Sequence, residues 1–118
     1  MSEPKTINLE SVEIADTSST RSAGLMFRDE PSPLMIVFGF QARHPIWMLF
    51  MRFPIDLIFL DSEKRVVTIH ENIKPLSLDP RTWKIYWPER PVKYAFEAEA
   101  GWAQKHSVAP GDLLSFEY

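Results

Sequence analysis

A mainly β domain, built as an antiparallel sandwich or barrel-like fold with one or two short helices, is what this sequence predicts. Three observations lead there. Ten Pro and only four Gly break the chain into short intervals. Several of those intervals are brief apolar runs of strand length, and no strand alternates with a long helix as a parallel α/β fold requires. The 118 residues suit one domain, with an ordered core from about residue 5 to 118.

Along the chain, Ile7 and Leu9 alternate, as do Val12 and Ile14, but the parity changes between the pairs, which predicts one strand interrupted by a bulge. Asp16 to Ser19 offers helix N-caps, and a short helix is expected through about Arg28, closed by Pro31 and Pro33. Leu34 to Phe38 and Ile46 to Phe50 are continuous apolar runs that read as buried strands. Ile55 to Leu60 and Arg65 to His70, joined by the turn Asp61-Ser62-Glu63-Lys64, form a hairpin. Thr82 to Trp87 puts Trp83, Ile85 and Trp87 on one face, and Val92, Tyr94 and Phe96 share a face in the segment after Pro88 and Pro91. A short helix is expected over Glu99 to His106, then a turn at Pro110-Gly111-Asp112 and a last strand, Leu113 to Tyr118.

Composition narrows the chemistry. With no Cys, the sequence has no disulfide, thiolate metal site or cysteine nucleophile. His44, His70 and His106 stand far apart, without metal-ligand spacing, so neither metal nor cofactor is expected. The isolated glycines make no phosphate loop, and Ser77, Ser107 and Ser115 carry no triad signature. A net charge of −3 with dispersed Lys and Arg argues against nucleic acid as a partner. No run reaches the length of a membrane span, so no membrane partner is expected, and Met1 to Lys5 lacks the pattern of a secretory signal. A cytoplasmic protein is expected, or a periplasmic or secreted one if a signal has been removed.

Five pieces then appear in a telling order. They are Arg21-Ser22-Ala23-Gly24-Leu25-Met26-Phe27-Arg28, then Met35 to Phe38, then Trp47-Met48 with Pro54-Ile55-Asp56-Leu57-Ile58-Phe59-Leu60-Asp61, then Phe96-Glu97 with Ala100-Gly101, and Gly111-Asp112. The sequence resembles the bacterial and archaeal domain of unknown function 192 from Ile7 onward. That resemblance implies a mostly antiparallel β-sandwich with short helices and no particular activity; a bacterial protein is expected. Many members carry a polar Lys-Asn-Thr stretch after Trp-Met, whereas Leu49-Phe50-Met51 stands here. If those residues line a ligand site elsewhere in the family, that site is altered or absent in this chain.

Asp56 is the most informative single residue. In its strand Ile55, Leu57 and Phe59 face one way and Ile58 and Leu60 the other, so a carboxylate at position 56 is flanked by apolar residues and needs a partner. Arg21 and Arg28, about two helical turns apart, could present guanidinium groups from one helix face, with Arg52 as a local alternative. Asp56 then reads either as half of a structural ion pair or as the polar floor of a pocket. Glu97 and Glu99 share a face with Lys93 and Ala95, a pattern expected of solvent-exposed residues. An Asp56–Glu97 pair could do the acid–base work of a glycosidase if the carboxyl groups opened into one cleft. Trp47, Trp83 and Trp87 read as core or as a platform for sugars or peptides, with Trp83 and Trp87 expected on an exposed edge strand bracketed by Pro80 and Pro88.

The function expected from these residues is non-enzymatic binding of a carbohydrate, peptide or protein partner through Asp56, Arg21, Arg28, Trp47, Trp83, Trp87 and Glu97. The alternative is a carboxylate-dependent hydrolase acting on a glycan or similar polar substrate. A monomer or homodimer is expected, the latter if an apolar edge is buried only between copies.

Overall fold

The computed structural model describes residues 3–118; Met1 and Ser2, part of the stretch read for a signal, lie outside the described residues. Within the described residues, nine strands and two short helices succeed one another: β1 (Thr6–Asn8), β2 (Glu13–Ala15), α1 (Ser18–Ala23), β3 (Leu34–Ala42), β4 (Ile46–Trp47), β5 (Ile55–Leu60), β6 (Val66–Ile73), β7 (Ile85–Tyr86), β8 (Val92–Glu99), α2 (Trp102–Lys105) and β9 (Leu113–Ser115). The fold is mainly β, as the breakers and short runs predict. At its centre lies a five-stranded sheet in the order β2-β3-β8-β5-β6, accompanied by two two-stranded ribbons, β1-β9 and β4-β7. The pairing is not wholly antiparallel, because β1 runs parallel to β9 and β2 parallel to β3.

β5 is buried on both faces along its whole length, as a strand flanked by neighbours and covered above and below must be. Ile55, Leu57 and Phe59 join Leu34, Ile36 and Ala95 in a core beneath α1 and the β4-β7 ribbon. Ile58 and Leu60 join Met35, Tyr94 and Phe96 in a second core covered by α2 and the β1-β9 ribbon. The β5–β6 hairpin forms as expected. Asp61 Oδ1 accepts from Glu63 N–H at 2.9 Å and Arg65 N–H at 3.0 Å, and Lys64 takes the left-handed conformation that closes the turn.

Four expectations change. The parity switch between Ile7/Leu9 and Val12/Ile14 is not a bulge, since β1 belongs to an outer ribbon and β2 to the central sheet; the chain crosses between layers there. The first helix is capped by Thr17, whose side chain accepts from Thr20 N–H, but it ends at Gly24, where φ is +49°, instead of near Arg28. Leu25 then turns into the core, and Arg21 and Arg28 do not share a helix face. Ile46 to Phe50 is no buried strand. Met51 N–H donates to the Met48 carbonyl at 3.3 Å, a turn that sends both methionines into the core and leaves Trp47 and Phe50 outside. Burying a side chain of that size is worth about 1.5–3 kcal/mol, which favours the turn over two further residues of strand. Finally, Val92 packs with the first core and Tyr94 and Phe96 with the second, because the β3–β8 register shifts between Val37 and Ala42.

Candidate ligand-binding site

Asp56 is fully buried, yet no guanidinium among the described residues meets it. Opposite it, two residues of β6, Glu71 and Asn72, stand against one of β5, and the bulge holds Asn72 at φ +49°. Asn72 N–H donates to Asp56 Oδ1 at 2.8 Å, while Gly101 N–H and Ala103 N–H donate to Oδ2 at 3.2 and 2.9 Å. Asp56 therefore satisfies the amide freed by a bulge and caps α2 from a neighbouring strand, a task that Gly101 at the N-cap has no side chain to perform. Arg28 instead pairs with Glu13 and donates to Ser32 Oγ at 3.1 Å, and Arg52 pairs with Asp29 at 2.5 Å.

Glu97 reverses its expected exposure. It sits in β8 between Leu34 of β3 and Leu57 of β5, and only 4% of it is accessible. Burial pushes its carboxyl up to about 7, against the smaller pulls of the Leu25 backbone amide and the Arg28 charge. Glu97 Oε1 has no hydrogen-bond partner among the described residues. The chain passes over it at Gly24, where a Cβ would come within 3.1 Å of that oxygen. Gly24 is thus needed for both its positive φ and its closeness to the acid. Gly24→Ala is expected to cost about 1–3 kcal/mol through backbone strain; an unchanged melting temperature would contradict this.

Glu97 lies at the base of a cavity of about 230 Å³ whose wall includes Arg21, Gly24, Met26, Phe38, Pro45 and Trp47. The Arg21 guanidinium also ties α1 to β3, donating to the Asp16 and Val37 carbonyls at 2.6 and 3.1 Å. Trp47 is shared with a larger groove of about 710 Å³, formed with Leu49, Phe50, Leu76, Ser77, Leu78, Trp83, Lys84 and Ile85. Trp83 is pinned by its indole N–H, which donates to the Ser77 carbonyl at 2.8 Å, and its ring stays exposed. Phe50 stacks on Phe27 at 4.8 Å, and both residues hold left-handed backbone, at φ 58° and 62°. Such backbone is costly for bulky residues, and here it turns two aromatic rings outward.

The structure thus gathers Glu97, Arg21 and Trp47 in one cavity and Trp83 in the adjoining groove. Asp56, Arg28 and Trp87 lie elsewhere, Trp87 beneath the Arg43 guanidinium at 5.6 Å. Asp56 and Glu97 occupy opposite faces of the sheet, as their pairing with Ala98 and Leu57 in adjacent register requires, so the expected acid–base pair does not form. Among the described residues, no group of three or more His, Asp or Glu side chains is arranged to hold a metal. Gly24, Phe50 and Leu78 were not anticipated as site residues. A signal for Gly24 did exist: pieces far apart in the sequence meet in space, Gly24 against Glu97 and Asp56 against Gly101.

The chain matches the family described as "Uncharacterized ACR", the domain of unknown function 192, over residues 2–116. It is 39% identical to a UPF0127 protein of Pyrococcus furiosus over 114 residues, covering 95% of this chain and 90% of that protein. A Pyrococcus abyssi UPF0127 protein is 36% identical, with 98% and 95% coverage. These relatives are archaeal, which corrects the expectation of a bacterial source. Among solved structures, a Sinorhizobium meliloti protein described as a candidate transcription regulator superposes with a TM-score of 0.78 at 33% identity, covering 86% of this chain and 78% of that one. A Novosphingobium aromaticivorans protein of unknown function gives 0.75 at 27% identity, with 86% and 71% coverage. From the near-complete family match and these relatives, the chain belongs to the family of domain of unknown function 192, whose activity is uncharacterised.

Proposed function

We propose that this protein is a non-enzymatic binding domain whose site is the cavity over Glu97, and that its ligand brings an N–H or O–H donor to Glu97 Oε1. The observation behind this reading is a buried acceptor, without a partner among the described residues, at the base of a cavity. An orphaned buried acceptor costs about 1–3 kcal/mol, and natural folds rarely leave one unless something else completes it. A hydrolase is less well supported, because the second carboxyl such chemistry needs is on the far side of the sheet. Carrying transcriptional regulation over from the Sinorhizobium protein also has little support. The net charge is −3, and among the described residues no helix exceeds the six residues of α1, too short to fill a major groove.

The test is a calorimetric titration with n-butylamine, whose ammonium can meet Glu97 only when the acid is ionised. The charged groups facing Glu97 are Arg21 at the cavity wall and Arg28 beyond it. From pH 6 to pH 8 the ionised fraction of a group titrating near 7 rises from roughly a tenth to nine-tenths. Affinity is expected to increase about tenfold over that interval and to disappear in Glu97→Gln. Equal affinity at the two pH values, or binding that persists in the variant, would remove the basis for this reading.

A further inference from the structure

The cavity over Glu97 is small. Sites that enclose a whole organic ligand usually measure about 300–1,000 Å³, and this one, at about 230 Å³, has room for a head group. The remainder of a larger ligand must leave past the cavity wall. One residue of that wall, Trp47, also lines the groove, where seven of the nine residues are apolar, Ser77 and Lys84 being the exceptions.

That groove is unusual for exposed surface. Leu78 is 97% exposed at a loop tip, and Trp47, Phe50, Trp83 and Ile85 around it are all more than half exposed. Large apolar side chains scattered singly need no explanation, but five gathered around one concavity mark a binding surface. The backbone spends strain at Phe50 and a hydrogen bond at Trp83 to hold the rings there. Trp47 lines both the cavity and the groove, which places an apolar surface within reach of a ligand whose head fills the cavity.

We infer that the ligand is an amphipathic primary amine, with its ammonium head on Glu97 and its apolar body laid across Trp47, Phe50, Leu78, Trp83 and Ile85. This rests on the Glu97 site proposed above and adds the ligand's class. The head must be a donor because the oxygen awaiting it can only accept when ionised, and three N–H groups on a compact head fit a narrow cavity. An anionic head would be repelled by the same carboxylate, while the Arg21 guanidinium that could offset this is already engaged with the Asp16 and Val37 carbonyls. The body must be apolar because a polar one would be desolvated against the two tryptophans without recovering its hydrogen bonds.

The experiment is a series of n-alkylamines from butyl to octyl, titrated at pH 8 below their aggregation concentrations, with octanoate as the anionic control. Each methylene that lies in the groove should tighten binding about three- to fourfold, so octylamine should exceed butylamine by well over fiftyfold. Leu78→Ser, a change at a fully exposed tip that leaves packing intact, and Trp83→Ala should each lower the octylamine-to-butylamine ratio. Glu97→Gln should weaken every amine, and octanoate should not compete. If butylamine binds through Glu97 but chain length makes no difference, the amphipathic ligand is refuted and the Glu97 site stands. If octylamine binds equally well to Glu97→Gln, or octanoate matches it, both readings fall.

Discussion

Glu97→Gln is expected to be more stable than the parent protein above neutral pH, by up to about 3 kcal/mol. Burial raises the Glu97 carboxyl from its ordinary 4.5 to about 7, so between those values the folded chain binds a proton that the unfolded chain has lost. Stability associated with that proton is present in full below pH 4.5 and is lost as pH rises through 7. The amide of Gln carries no charge to desolvate and keeps an oxygen for the Leu25 amide. Urea denaturation of both proteins at pH 5, 6, 7 and 8 should show their stabilities diverging with pH, the parent falling relative to the variant. Taking the difference between the two removes whatever the unchanged residues contribute to the pH dependence. Curves that stay parallel across that range would mean Glu97 titrates normally and is not buried as described. A stabilised variant that no longer binds amines would be the usual trade between an unsatisfied site and its function.

The same chemical change one strand away should do the opposite. Asp56→Asn is expected to cost about 3–5 kcal/mol, because its two oxygens accept from three backbone N–H groups and the new amide must turn a donor towards at least one of them. Either the β6 bulge or the start of α2 then loses its acceptor in a site without access to water. A drop in melting temperature of roughly 10 °C or more should accompany it, and backbone amide exchange should quicken at Asn72 or at Gly101 and Ala103. Retention of the parent melting temperature would show that these amides find other acceptors and that Asp56 is not what holds them.

The two carboxyls also show where sequence reading succeeds and where it stops. Asp56 is legible as buried because both of its faces are flanked by Ile, Leu and Phe. Its partners are not, since backbone amides carry no residue signature and the eye turns to arginine. Glu97 is misread for the complementary reason. Lys93 and Glu99 on its own side of the strand make an alternation typical of a wet face, and only the cover supplied by Gly24 and the β4 turn puts it in the dark. Local pattern gives β3, β5 and the β5–β6 turn, whose causes lie within a few residues. It misses the early end of α1 and the outward turn at Phe50, which depend on what Leu25, Met48 and Met51 gain elsewhere in the fold.

Asp56 has a further consequence for how β5 finds its place. In a strand apolar on both sides, greasy residues fit nearly as well after a slide of one position, and pairing alignment is weakly encoded. Such a slide would swing this acid across to the face that already holds Glu97, crowding two carboxyls together and abandoning three amides. One polar residue thereby makes the neighbouring misalignment expensive, and removing it should increase off-pathway pairing and aggregation during refolding even under conditions where the native state survives.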